Sequence, residues 1–119
     1  MTAFQLIIPM PDLPSSNHRE HWRVTAKKRA AMRAAAGLAC THMRAIDGPV
    51  HLTITFGFPD KRGRDLDNYE IKGAIDGMVD AGLISDDRST VLRAVTRKPA
   101  EHLSIKGHAV LMFDLEPVS

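Results

Sequence analysis

Cysteine is nearly missing from this chain. Cys40 stands alone, so no disulfide can form within the molecule, and a reducing compartment is the expected setting. Long apolar runs are missing as well: none approaches the roughly 20 residues that a membrane-spanning helix needs. No basic-then-apolar leader opens the chain, and the expected location is the cytoplasm. There is no glycine-rich phosphate loop, which argues against a nucleotide cofactor. His42, His51, His102 and His108 show no ligand spacing, and with a single thiol this makes zinc unexpected. Repeats and low-complexity tracts are absent. Membrane proteins, secreted disulfide scaffolds, coiled coils and disordered tails are thereby excluded as main readings. What remains is 119 residues, 44% hydrophobic and 25% charged, enough to bury a core without a staple and expected to form a single domain over 1–119.

The net charge of +2 conceals a strong segregation. Residues 19–64 carry ten Lys/Arg against three acids, whereas residues 65–87 carry seven acids against one lysine. The chain turns basic again over 88–106. An acidic block set inside a basic body is the layout expected where a polyanion and a metal ion meet.

Residues 3–8 are β-prone and stop at Pro9, a first strand, and the stretch Pro9 to Asn17 is a stiff, proline-rich connection. A long basic helix is predicted from about Arg23 to Arg44, with Gly48-Pro49 as its stop. Val24, Lys27/Lys28 and Ala31 give it a weak apolar stripe, leaving Lys27, Lys28, Arg29 and Arg33 free to face solvent or a ligand. From His51 to Phe58, Leu52, Ile54, Phe56 and Phe58 alternate with polar residues as in a half-buried strand. A second helix is predicted from Asn68 to about Ala81, stopped by Gly82, with Ile71, Ile75, Met78 and Val79 as its apolar stripe. Further strands are expected at about 91–97 and 108–115. The order β-α-β-α-β-β describes a small α/β (α+β) fold: a mixed sheet of about four strands packed with two helices.

The acidic block has an internal pattern. Asp65 and Asp67 stand two apart in a loop or strand end, where alternate side chains point the same way. Asn68, Lys72 and Asp76 follow at helical spacing, and Asp86-Asp87 comes just after the Gly82 stop. If the chain folds back there, one acid of that pair rejoins Asp65 and Asp67. Three gathered carboxylates repel unless a hard cation neutralises them, and Mg²⁺ suits oxygen ligands and phosphate together. A calcium-binding loop competes for the same spacing, with Asp65, Asp67 and Asp76 at ligand positions. It fails because Glu70 stands where that loop needs glycine. Two plainer roles also fit: aspartates that favour a helix start, and Asp86-Asp87 as a simple turn. His18, His21 and Trp22 cluster before the long helix; a lone tryptophan there reads first as a packing residue and second as a base-stacking one. Cys40, in an alanine-rich helix, reads as a small buried residue rather than a nucleophile.

Asp65-Leu66-Asp67-Asn68, Lys72, Asp76, Gly82 and Asp86-Asp87, taken in that order after a strand, a Pro14-Ser15-Ser16-Asn17 stretch and a basic helix, resemble the signature of the RusA-type Holliday-junction resolvases. The resemblance spans nearly the whole chain. It implies a homodimeric, Mg²⁺-dependent endonuclease, with Mn²⁺ able to substitute, that cuts two strands symmetrically across a four-way DNA junction in a bacterial or phage-infected cell. Carried over by position, the metal-binding catalytic aspartates are Asp65, Asp67 and Asp87, with Asp86 as the additional acid, and the catalytic lysine is Lys72. Asp67 and Lys72 stand one residue further apart than in the family pattern, so either the helix starts later or Lys72 is displaced. Arg19, Arg23, Lys27, Lys28, Arg29, Arg33, Lys61, Arg62 and Arg64 would hold DNA phosphates. The rival readings are a nuclease acting on flaps, forks or single strands, a DNA-binding protein that keeps the fold without catalysis, and a structural acidic cluster with no DNA role.

Overall fold

Alternation along four segments builds one sheet. In the computed structural model, which describes residues 2–15, 21–100 and 102–118, the strands are β1 (Thr2–Pro9), β2 (Val50–Gly57), β3 (Leu92–Pro99) and β4 (His108–Pro117). The helices are α1 (Trp22–Cys40) and α2 (Lys72–Asp80), and short 3-10 turns lie at Met10–Asp12 and Leu66–Asn68. The sheet order is β1-β4-β2-β3. β4 runs antiparallel to both β1 and β2, while β2 and β3 are parallel. A parallel pair cannot be joined by a hairpin, and α2 lies in the crossover between them. The mixed four-stranded sheet with two helices is the α+β arrangement expected from the sequence.

The register stacks apolar residues in rows on one face. Leu6, Leu111 and Phe56 form one row, and Phe4, Phe113 and Ile54 the next. All six are buried, and Phe4 and Phe113 stack at 4.8 Å between ring centroids. Side chains at alternate positions, such as Gln5, Thr53 and Thr55, point to the other face, as the two-residue period requires.

The helices differ from expectation at two ends. α1 stops at Cys40 rather than Arg44, because the chain turns there so that the Ile46 N–H can bond to the Leu83 carbonyl at 2.8 Å. Its buried face is Met32, Ala36 and Cys40, whereas Val24 and Ala31, expected on the stripe, are exposed. α2 begins at Lys72 rather than Asn68. The intervening residues are held elsewhere: Tyr69 bridges to Ser15, and the Glu70 N–H donates to the Pro14 carbonyl at 3.0 Å. Tertiary partners thus take the residues that local propensity assigned to the first helical turn. The expected stop at Gly82 is observed. Its φ of 77° lets Leu83 N–H reach back to the Met78 carbonyl, closing the helix end.

α1 packs most extensively on α2, through small residues. The carbonyls of Arg29 and Arg33 lie directly over Gly73 and Gly77, where any Cβ would overlap them, and Ala36 also crowds Gly77. Cys40 is fully buried at the end of this contact, and burial pushes its thiol up to about 11, away from nucleophilic use. Gly77→Ala is therefore expected to destabilise the fold by about 1–3 kcal/mol. The measurement is a lower urea midpoint with an unchanged slope. Gly63→Ala, with open space at its Cβ position, should leave the midpoint within error or raise it slightly.

Candidate active site

The turn at Leu66–Asn68 presents the first two aspartates. Asp65 caps it: its carboxylate accepts from the Asp67 N–H at 3.1 Å, and its carbonyl accepts from the Asn68 N–H at 3.1 Å. One carboxylate oxygen of Asp65 is thus engaged locally. Asp67 projects into solvent with its side chain 86% exposed. Two arginines from distant elements hold the segment. Arg97 of β3 donates through Nη1 to the carbonyls of Leu66 and Tyr69 at 2.8 and 2.6 Å, and its Nε lies 3.8 Å from Asp67 Oδ1. Arg29 of α1 pairs with Glu70 at 2.5 Å.

The second half of the site comes from α2 and the turn beyond it. Lys72 Nζ lies 3.2 Å from Asp76 Oδ1 and 3.1 Å from Asp87 Oδ2. Asp87 first, then Asp76, hold the Lys72 ammonium above its ordinary range; in return Lys72, and then Asp86, hold the Asp87 carboxyl below its own. The two acids of the pair are used differently. Asp86 turns back to accept from the N–H groups of Asp87 and Arg88 and pairs with the Arg88 side chain at 3.1 Å. Asp87 faces outward toward Lys72.

Asp67, Glu70, Lys72, Asp87 and Arg97 line one cleft of about 500 Å³, with Tyr69, Ile71, Ile75, Leu92 and Val95 as its apolar walls. The fold therefore brings Asp67, Lys72 and Asp87 together from three separate segments. It does not gather Asp65, Asp67 and Asp87 into one cluster: among the described residues no three such groups stand close enough to hold an ion. The donors present, two outward-facing carboxylates on one cleft, fit a hard divalent cation in kind. The positive charge at these two is supplied by the Lys72 ammonium and the Arg97 guanidinium.

The one-residue spacing departure resolves as a later helix start. Lys72 is the first residue of α2, so Asn68 leaves the helical face it was expected to share, while Lys72 and Asp76 still meet at i, i+4.

The basic residues divide into two groups. Arg29 and Arg33, expected to be free, are not: Arg33 makes a bidentate contact to Asp80 at 2.6 and 2.8 Å, and Arg29 holds Glu70. The close helix contact puts Arg33 of α1 against Asp80 of α2, and Arg29 against Glu70 just before that helix. Arg64 is also engaged, only 11% exposed, paired with Asp60 at 2.7 Å and lying 4.5 Å from the Phe58 ring. Arg23, Lys27, Lys61 and Arg62 are exposed, and Lys28 is half-buried. Arg19 and His18 lie outside the described residues. Trp22, read first as a packing residue, is 68% exposed, with the Arg23 guanidinium 5.3 Å from its ring. It opens α1, where among the described residues no core element reaches it.

Arg97 is the site residue that sequence reasoning missed. Its one local signal is period: it falls in register beside Ile54 on the apolar side of the sheet, where a charged residue is out of pattern.

A protein-family profile described as Endodeoxyribonuclease RusA matches residues 10–106. No curated protein matches the sequence.

Two titrations check this electrostatic picture. Arg64, and then the Arg62 N–H, hold the Asp60 carboxyl down to about 2. Its stabilising contribution should therefore be complete above the ordinary value of 3.8 and be lost as pH falls through about 2. Carboxyl NMR should show that low midpoint, and Arg64→Met should raise it toward the usual range while the Arg62 N–H still acts. For Lys72 the sign is opposite: its pairing is complete below the ordinary 10.5 and is lost as pH rises through the higher folded value. Asp87→Asn should bring the Lys72 midpoint down, read by side-chain NMR of labelled lysine.

Proposed function

The chain belongs to the RusA endodeoxyribonuclease family, and from that premise we propose that it is a divalent-metal-dependent nuclease that resolves four-way DNA junctions by paired, symmetric hydrolysis. The observation that carries this reading is the convergence of Asp67, Lys72 and Asp87 on one cleft from three segments of the chain. Asp67 and Asp87 would hold the metal, with Asp65 at the start of the turn that carries Asp67 and Asp86 next to Asp87. Mg²⁺ is the expected ion, with Mn²⁺ able to replace it. Bound there, it would supply Lewis-acid stabilisation of charge at phosphorus and an activated water.

The chain's own residues define the remaining roles. Lys72, a cation lying between two carboxylates, would serve as a positive donor to a non-bridging phosphate oxygen, released from Asp87 when the cleft fills. Arg23, Lys27, Lys61 and Arg62 hold flanking phosphates, and Lys28 adjoins them. Such contacts release counterions and make binding fall steeply with salt. A four-way junction has approximate two-fold symmetry, and a homodimer would present it with two equal sites. Among the described residues no helix is long and apolar enough to cross a membrane. We place the protein with its DNA in the cytoplasm.

A second reading, a junction-binding protein without catalysis, draws on two observations: Lys72 is closed in an ion pair, and among the described residues no three carboxylates meet. Cleavage of a mobile four-way junction, beside a matched linear duplex, separates the two. With Mg²⁺ the protein should nick the junction in symmetric pairs and leave the duplex intact, and flap or fork substrates should compete poorly. Asp67→Asn should reduce cleavage at least a hundredfold while junction affinity stays the same or rises, since a ligand is lost and the basic surface is kept. Junction binding without nicks at any Mg²⁺ concentration would instead establish the second reading. Mg²⁺ should also raise the melting temperature of the wild-type protein more than that of Asp67→Asn, by linkage to the folded state.

A further inference from the structure

We propose that Arg97 is the positioning residue of the acidic site: its guanidinium sets the turn that presents Asp67 to the cleft. The functional part of this inference rests on the nuclease reading above.

Three contacts define the role. Arg97 Nη1 reaches both carbonyls that bracket the 3-10 turn, Leu66 on one side and Tyr69 on the other. Its Nε faces the carboxylate carried at the middle of that turn, at 3.8 Å from Asp67 Oδ1. One planar group thus grips both ends of the turn and faces the carboxylate between them. The side chain is 23% exposed, and the guanidinium stands 5.9 Å from the ring of the buried Phe56, so its own position is constrained by the sheet.

The turn needs such an anchor. A three-residue 3-10 turn is weak in isolation, and its internal bonds are few: Asp65 accepts from Asp67 and Asn68, and Leu66 from Tyr69. Asp67 is too exposed for packing to fix it. What locates its carboxylate is the backbone beneath, and Arg97 ties that backbone to β3. The long Nε contact also leaves the Asp67 oxygens available to another cation. A lysine at this position keeps the charge but has no fork: a single ammonium lacks the planar array that spans two carbonyls and a carboxylate. Partners that orient metal-binding groups typically matter 10–100-fold for metal affinity or activity.

The test compares the full-length wild-type protein with Arg97→Lys and Arg97→Met. Amide hydrogen exchange reads the turn directly, and Mn²⁺ binding to the free protein, followed by electron paramagnetic resonance, reads the site. In Arg97→Lys the Asn68 and Tyr69 amides should exchange at least tenfold faster while those of β2 and β4 keep wild-type protection. The Mn²⁺ dissociation constant should rise about 10–100-fold. Junction affinity without metal should not change. If Arg97→Met loses protection throughout the sheet, it has unfolded, and Arg97→Lys decides the matter. Wild-type exchange at Asn68 and Tyr69 in Arg97→Lys overturns the proposal. So does faster exchange with an unchanged Mn²⁺ constant, which would leave Arg97 a structural residue only. Failure of the nuclease reading looks different: the wild-type protein itself would cleave no junction, while the exchange at Asn68 and Tyr69 would still show whether Arg97 holds the turn.

Discussion

Carboxylates crowded into one segment repel unless something positive stands among them, and seven acids fall between residues 65 and 87 with one lysine. The fold meets this constraint from outside the segment as well as within it. Arg97 faces Asp67, Arg29 holds Glu70, Arg33 holds Asp80 and Arg88 holds Asp86, while Lys72 lies between Asp76 and Asp87. Asp65 is committed instead to capping its turn. The solvent-facing pairs among these contribute little stability each. Their effect is placement: each cation decides where a carboxylate points. Because the cations arrive from α1, β3 and the segment's own helix, the acidic cleft forms where those elements meet.

The helix contact makes part of this possible. Gly73 and Gly77 let the backbone of α1 approach α2 until the carbonyls of Arg29 and Arg33 rest on them, and the side chains of the same two arginines then reach Glu70 and Asp80. This contact uses up charge that a basic helix would otherwise offer to DNA. The exposed basic surface accordingly shifts to the start of α1, at Arg23 and Lys27, and to the loop carrying Lys61 and Arg62. Arg64, in the same loop, is turned inward onto Phe58 and Asp60 and shapes the loop rather than its outer surface.

Much of the fold was legible in the sequence, and the reason lies in particular residues. Leu52, Ile54 and Phe56 alternate with polar neighbours, which marks β2 without reference to anything distant. Gly82 stops α2 by its own backbone freedom. Of the Asp86-Asp87 pair, Asp86 folds back onto the turn and Asp87 faces the cleft, which two adjacent aspartates do not reveal in sequence. The start of α2 was not legible, because Tyr69 and Glu70 leave the helix for partners near Pro14 and Ser15. Trp22 reads as a packing residue because a tryptophan is costly to leave in water, and nothing local reveals that among the described residues no core lies beside it.

The sequence by itself determined the order of the elements, the faces of the strands and the existence of an acidic block in a basic chain. Each follows from the period of neighbouring residues or from composition, and neither needs a distant partner. Only the tertiary structure decided which cation meets which carboxylate, which arginines remain exposed and which aspartates share a cleft. Those outcomes depend on residues far apart in the chain being brought within a few ångströms. Arg97 shows the difference most clearly: in the sequence it is one charged residue in a short strand, and in the fold it holds the turn from which Asp67 projects.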